Sequence, residues 1–377
     1  MKKYIYNPLS QIIPKICLAV CVIIPFLRPL AAKVQSFNVG IIIPLSGDLA
    51  DYGTSIRNGF QTALADNPEK FRRIKFIYED SRYDGKTAIG ALQKLRASNI
   101  IDVYYLWGVS PTEALIPVTE ANKLPVIAET TVKEATANAQ YAVRAARTGE
   151  MIANALVNEI VKRKFKKVAF INAEITFYND ILKHIGVLLQ KNGVEISRIE
   201  RIQPNEADLK PLILRVAKQK PDVIGAFLLP PQLISFYQQA EQLNISIPAF
   251  NADILGSDSI IKAAPNNING TFLSQVGVTT QFRNTYKEKF NNDTHIGQAA
   301  QAYDVAMLIG DLFGQLNKKL TNEEIIKAIA GTKPREGATG SFQYSESADG
   351  GKELKMPVVI TEIRNKEIVN IGGKDGL

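Results

Sequence analysis

From residue 38 onward the chain repeats one pattern: an unbroken apolar run, a polar turn, then a stretch with apolar residues three and four apart. The runs at 39–45, 74–78, 101–107 and 125–128 read as strands. Between them lie three helical stripes: Ile56, Phe60, Ala63 and Leu64; Ala88, Ala91, Leu92 and Leu95; Ala114, Leu115, Val118 and Ala121. Strands that are apolar at consecutive positions need cover on both faces. They build a parallel sheet between two helix layers, so the fold class is α/β.

The rhythm restarts near 141–147. Strands are expected at 167–172, 194–202, 222–229 and 247–250, with helices at 151–161, 181–190, 209–217 and 233–243. A further strand at 271–276 precedes a long helix from 297 to about 316 and a shorter one at 322–330. The turn-rich stretch 337–352 leads to strands at 358–364 and 367–371. A chain of 377 residues suits two domains. No low-complexity linker separates the two units, which implies several crossings and a cleft between them.

Composition removes several functions. Hydrophobic residues make up 46% and charged residues 22%, ordinary for a globular protein. The net charge is +8, but Lys2, Lys3, Lys15 and Arg28 leave only +4 for residues 33–377. That is too little and too scattered for nucleic acid. The densest basic run, 162–167, closes a predicted helix, where cations are favoured. Both cysteines, Cys17 and Cys21, precede residue 33, and the two histidines, His184 and His295, stand far apart. Beyond residue 33 no disulfide, thiol nucleophile, metal site or histidine base is expected. No G-x-G-x-x-G follows a strand, and there is neither a G-x-x-x-x-G-K-[ST] loop nor a G-x-S-x-G elbow. The expectation is no cofactor and no enzyme activity.

The N-terminus has the pattern of an export signal. Three lysines precede an apolar run at 16–27, too short to span a bilayer, and Ala31 and Ala32 offer a cleavage site. Residues 1–32 are therefore expected to be removed, with the mature chain starting near Lys33. Cys21 follows Leu18-Ala19-Val20, which resembles a lipoprotein box except that Val20 is not small.

One stretch, SPTEALIPVTEANKLPVIAETT at 110–131, combines a strand end, a helix and a second parallel strand. Hydroxyl residues stand at both strand ends. Ligands bind beyond such ends in open α/β sheets, and a helix N-terminus offers free N–H groups to an anion. Ser110 and Thr112 could equally cap the helix.

Beyond these local readings, NVGIIIPLSGDLADYGTSIRNGFQTAL at the start of the globular part resembles the type I periplasmic substrate-binding proteins of ABC transporters, closest to the leucine/isoleucine/valine-binding subgroup. GVSPTEALIPVTEANKLPVIAETT, FINAEITFYND and QAAQAYDVAMLI match further segments of that family in the same order. The resemblance spans 38 to about 363. It implies two doubly wound parallel-sheet lobes joined by three crossings, which close on a ligand. The expected division is 33–144 in lobe 1, 145–272 in lobe 2, 273–340 back in lobe 1, and 341–377 in lobe 2 and the tail.

Carried over by position, the resemblance implies a ligand-binding set of Tyr52, Ser110, Ala128, Thr130, Tyr178 and Asp253. Ser110 and Thr130 would hold an amino acid's carboxylate, with Thr131 the alternative to Thr130 one residue on. The Ala128 carbonyl, Thr130 and Asp253 would meet its ammonium, and the two tyrosines its side chain. Asp253 could also simply cap a turn. The implied partners are a small-molecule ligand, an amino acid, and an ABC permease in the inner membrane. The implied state is a monomer in the periplasm. The sequence departs from the family at Glu129, where a small or apolar residue is usual, and at Leu228-Leu229-Pro230-Pro231, where leucine-binding members carry tyrosines. Those four residues predict a drier second-lobe face. A sensor or envelope regulator on the same fold is the alternative, marked by failure to bind any solute. An exported enzyme is a third, marked by turnover.

Overall fold

The computed structural model describes residues 36–98, 100–252, 258–347 and 350–372. The expected signal segment and Asp253 lie outside the described residues.

Two sheets organise the chain. The first opens with β1 (Phe37–Ile43), β2 (Ile74–Asp80), β3 (Val103–Trp107), β4 (Val126–Glu129) and β5 (Ala142–Ala146), parallel and in the order β5-β4-β3-β1-β2. Helices α1 (Ala50–Asp66), α2 (Pro68–Phe71), α3 (Gly85–Ser98) and α4 (Val109–Ala121) connect its first four strands. Consecutive apolar residues on these strands serve opposite faces. Ile41, Ile43, Tyr105 and Ile127 pack with Ile56 and Phe60 of α1. Ile42, Tyr104, Leu106 and Val126 pack with Leu92, Leu95 and Leu115 of α3 and α4. Each such side chain, fully buried, contributes about 1.5–3 kcal/mol.

The second sheet repeats this plan with β6 (Lys167–Ala173), β7 (Glu195–Ile202), β8 (Val223–Phe227), β9 (Ala249–Ala252) and β10 (Phe272–Val276), in the order β10-β9-β8-β6-β7. Its helices are α5 (Gly149–Lys162), α6 (Thr176–Lys191), α7 (Lys210–Ala217), α8 (Pro230–Gln242) and α9 (Asp258–Ala263). The chain then returns through α10 (Thr280–Phe290), α11 (Ile296–Phe313) and α12 (Asn322–Ala330). Helix α11 lays Ala302, Val305 and Ile309 on the α1 side of the first sheet.

The end of the chain departs from expectation. β11 (Arg335–Gly337), β12 (Gly340–Glu346) and β13 (Lys352–Lys355) extend the first sheet, not the second. β13 runs parallel to β5 with Glu353 opposite Arg144, and these two side chains form a buried ion pair. A buried charge needs such a partner, which anchors this segment to the first sheet. Only β14 (Val358–Arg364) and β15 (Glu367–Asn370) join the second sheet, β14 antiparallel to β10 and β15 antiparallel to β14. The expected return to lobe 2 at 341 therefore comes after Lys355, and the return to lobe 1 expected at 273 comes after Val276. Both parallel sheets carry antiparallel edges. Among the described residues the chain passes between the sheets three times: after Ala146, after Val276 and after Lys355.

A single carboxylate braces two of these passages. Asp304 of α11 accepts hydrogen bonds from Ala338 N at 2.6 Å, Thr339 N at 2.9 Å and Thr339 Oγ1 at 2.6 Å. The Ala338 carbonyl in turn accepts from Thr279 N at 2.8 Å, on the second passage. Thr339 Oγ1 lies 3.7 Å from Met356 Sδ, on the third. Burial pushes the Asp304 carboxyl up to about 6, although its donors pull it down.

Candidate ligand-binding site

β1 lies between β3 and β2, so the connections on its two sides run in opposite directions. β6 holds the same place in the second sheet, between β8 and β7. Crevices at such switch points are where α/β sheets bind ligands. The loops beyond these strand ends enclose one cleft of about 780 Å³, within the range of small-molecule sites.

The first-lobe wall starts at the loop after β1. Asp80 holds it by accepting from Leu45 N at 2.8 Å and from Ser46 Oγ. Burial works against the charged Asp80, but donors including Ser46, Leu45 and Arg82 outweigh it and keep the carboxyl below its usual range. Tyr52, on α1, stacks on His295 with ring centres 3.6 Å apart and leans on Trp107 at 5.3 Å. Tyr83 meets the same indole at 5.6 Å.

Gly108 ends β3 with φ of +96°, and a Cβ there would come within 2.4 Å of the Tyr83 ring. Only glycine fits, and it starts α4 as the N-cap. Ser110 consequently sits inside the first turn and caps nothing; its side chain lines the cleft. Thr112 is buried away from the cleft lining, and its hydroxyl has no hydrogen-bond partner.

Beyond β4 come Thr130 and Thr131, both lining the cleft, whose buried hydroxyls likewise have no hydrogen-bond partner. Arg147, beyond β5, is 3% exposed and lines the same wall. Glu129, the departure noted in the sequence, faces the α1 and α11 side. It accepts from the Tyr105 hydroxyl and from Trp107 Nε1 at 3.2 Å. Burial, then the charge of Glu129, push the Tyr105 hydroxyl well above its ordinary range. Gln298 and Gln301 of α11 complete this wall, both buried.

The second lobe contributes Glu174, Ile175, Thr176 and Phe177 after β6, Pro204 after β7, and Leu229, Pro230 and Pro231 after β8. Leu228 is buried behind them.

Of the residues expected from the sequence, Tyr52, Ser110 and Thr130 are brought together on the cleft wall. Ala128 is fully buried on the α4 side of the first sheet and does not line the cleft. Tyr178 is a correction. It is fully buried, stacks on Phe227 at 5.3 Å, and donates its hydroxyl to the Leu228 carbonyl at 2.8 Å. The phase of α6 turns it into the core and leaves Phe177 at the rim. Asp253 is outside the described residues. Sequence reasoning missed Arg147, Gln298 and Gln301. The two glutamines carried a usable signal: polar residues three apart in the small-residue run IGQAAQA of a buried helix.

A family model described as periplasmic binding protein matches residues 36–367. The chain belongs to that family. It is similar to the Leu/Ile/Val-binding protein BraC3 of Rhizobium johnstonii, at 24% identity over 59% of this chain and 61% of the relative. That match thus spans about three fifths of the relative's length. Two solved structures share the fold. One is the branched-chain amino acid transporter substrate-binding protein LivJ of Streptococcus pneumoniae in complex with isoleucine, with TM-score 0.77 and 18% identity over 90% of this chain and all of that one. The other is a solute-binding protein of an ABC transporter from Rhodopseudomonas palustris BisB5 in complex with 3,4-dihydroxybenzoic acid. Its TM-score is 0.78, at 20% identity over 89% of this chain and 96% of that one. The periplasmic binding proteins are exported, solute-binding components of ABC transporters, not enzymes. No helix among the described residues is long and apolar enough to cross a membrane.

Proposed function

We propose that this chain captures a small amino acid or amino-acid-like carboxylate in the cleft between its lobes and delivers it to an ABC permease in the inner membrane. The observation that carries this reading is the group of buried polar side chains at the first-lobe strand ends. Thr130 and Thr131 present unsatisfied hydroxyls, and Arg147 is a buried cation lining the same first-lobe wall. Burying a hydroxyl without a partner costs about 1–3 kcal/mol. A carboxylate bound there would satisfy the hydroxyls, with Ser110 and the helix N-terminus adding donors. In this reading Asp253 pairs with the ammonium. Residues 1–32 are the export signal, and the mature chain starts near Lys33 as a monomer.

A second reading, an aromatic carboxylate without an ammonium, is favoured by the aromatic lining of Tyr52, Tyr83, Trp107 and Phe177. The palustris neighbour with a dihydroxybenzoic acid supports it. Mass spectrometry of molecules released from the denatured protein, then calorimetry with amino acids and benzoates, separates the two. The first reading expects an amino acid to bind best. It also expects Asp253→Asn to weaken that binding at least about 25-fold, from about 2–5 kcal/mol for a severed charge pair. A benzoate that binds best, indifferent to Asp253→Asn, establishes the second. Failure of every carboxylate to bind rejects both and favours the sensor or regulator.

A further inference from the structure

The cleft crosses the carboxyl edge of the first sheet and reaches both of its faces. On one face stands α4, with Ser110 in its first turn. On the other stand α1 and α11. Ile127 packs on the α1 and α11 side, and Glu129, two residues on in the same strand, shares that face. Its hydrogen bonds from Tyr105 and Trp107, both on that side, fix it there. Gln301 enters the cleft from α11 on the same side. It is 1% exposed, and neither its Nε2 nor its Oε1 has a hydrogen-bond partner. Gln298 lines the cleft one turn earlier on α11.

An amide with both ends buried and unmatched is costly, and proteins keep such groups where a ligand satisfies them. Gln301 can donate and accept at once. An aliphatic ligand end placed here would leave Gln301 unmatched. The second-lobe residues Phe177, Leu229 and Pro230 offer an apolar cover for the span between the two ends.

We propose that the ligand is two-ended: a carboxylate on the α4 side, an apolar or aromatic body, and a hydroxyl or amine at the far end that bonds Gln301, with Gln298 and Glu129 beside it. This rests on the reading of the cleft as a carboxylate site. It makes Gln301 the residue that selects the far end. A site built to hydrogen-bond a hydroxyl rejects the analogue that lacks one far better than an apolar pocket rejects an extra methylene.

The test is calorimetry on the full chain with pairs that differ only at the far end: phenylalanine and tyrosine, benzoate and 4-hydroxybenzoate, norleucine and 6-hydroxynorleucine. In at least one pair the hydroxyl member should bind at least about tenfold tighter. In Gln301→Leu that advantage should fall to about twofold or less, while the bare member binds as well as before or better. Thermal melting checks that the variant is folded. Gln301→Glu, which keeps the shape and adds a charge, should shift preference from 6-hydroxynorleucine toward lysine, whose terminal amine is a cation. Wild-type protein that binds both members equally, or prefers the bare one, overturns the two-ended ligand and leaves the carboxylate site standing. So does a hydroxyl preference that both Gln301 variants retain. Failure of all of these carboxylates to bind overturns the carboxylate reading itself.

Discussion

The two lobes share the cleft's buried polar groups unequally. The first lobe presents Ser110, Glu129, Thr130, Thr131, Arg147, Gln298 and Gln301, most of them buried, beside the rings of Tyr52, Tyr83 and Trp107. The second presents Ile175, Phe177, Leu229 and three prolines, with Glu174 and Thr176 exposed at its rim. Even its candidate polar contact is spent internally, since the Tyr178 hydroxyl is bonded to Leu228. In the proposed reading, recognition belongs to the first lobe, and the second supplies an apolar cover that excludes water. Hydrogen bonds and charges gain strength where water is excluded. A polar wall and a dry lid thus work better together than two polar walls.

The largest expected effect that could break this contrast is at Arg147. Replacing it with Met removes the buried cation and should weaken carboxylate binding by roughly 2–5 kcal/mol, at least about 25-fold. Calorimetry showing a change of less than about threefold would move the anion site elsewhere. Next is Asp304, which sharpens the contrast by separating bracing from recognition. Asp304→Ala leaves two backbone N–H groups and the Thr339 hydroxyl unmatched, so stability should fall by about 3 kcal/mol in denaturant titration.

The same residue predicts a pH dependence. Its carboxyl stands near 6 in the folded chain against an ordinary 3.8, so the folded state holds the proton more tightly. The stability it contributes is full below the lower value and is lost as pH rises through the upper one. The melting-temperature advantage of wild type over Asp304→Asn should therefore narrow between about pH 4 and about pH 7. An advantage that widens with pH would contradict this.

Phe177→Ala removes part of the lid. It should weaken the wild-type ligand about tenfold, less than the arginine substitution, because apolar cover is lost and no charge is stranded. An effect larger than that of Arg147→Met would reverse the division between the lobes. The smallest effect is at Tyr178→Phe. Binding should stay within about twofold and stability should fall by about 1 kcal/mol, the worth of one buried hydrogen bond. A tenfold loss of affinity there would restore Tyr178 to the site.

The legibility of the sequence followed the same physics. The sheet strands were readable wherever burial made them continuously apolar, as in β3 and β8. β5 was not, because Arg144 interrupts AVRAA; its partner Glu353 lies 209 residues away, beyond any local pattern. The segment of β12 and β13 looked like turns because an edge strand buries only some of its residues. Helix α10 was missed because only Phe282 and Tyr286 of its 11 residues are buried. At the cleft, Tyr52, Ser110 and Thr130 sit at helix starts or a strand end whose motifs are local. Tyr178 and Phe177 are adjacent aromatics, and only the rotation of α6 decides which faces out. Gln298, Gln301 and Arg147 take their meaning from packing between segments far apart in the chain.

Gln298, Gln301 and Asp304 occupy successive turns of α11. The first and last are six residues apart, about 9 Å along the axis. A rod that lines the cleft at one end and steadies the inter-lobe passages so close by has a short working arm. By simple gearing, a displacement of about 1 Å at Gln298 becomes about 3 Å at a surface about 30 Å from the fulcrum. The hypothesis is that occupancy is reported most loudly at the outer rims, where another protein makes first contact. No cysteine follows Cys21 in the sequence, so two thiols introduced at opposite rims and spin-labelled would measure that amplification as a distance. An unchanged distance on filling the cleft would refute it.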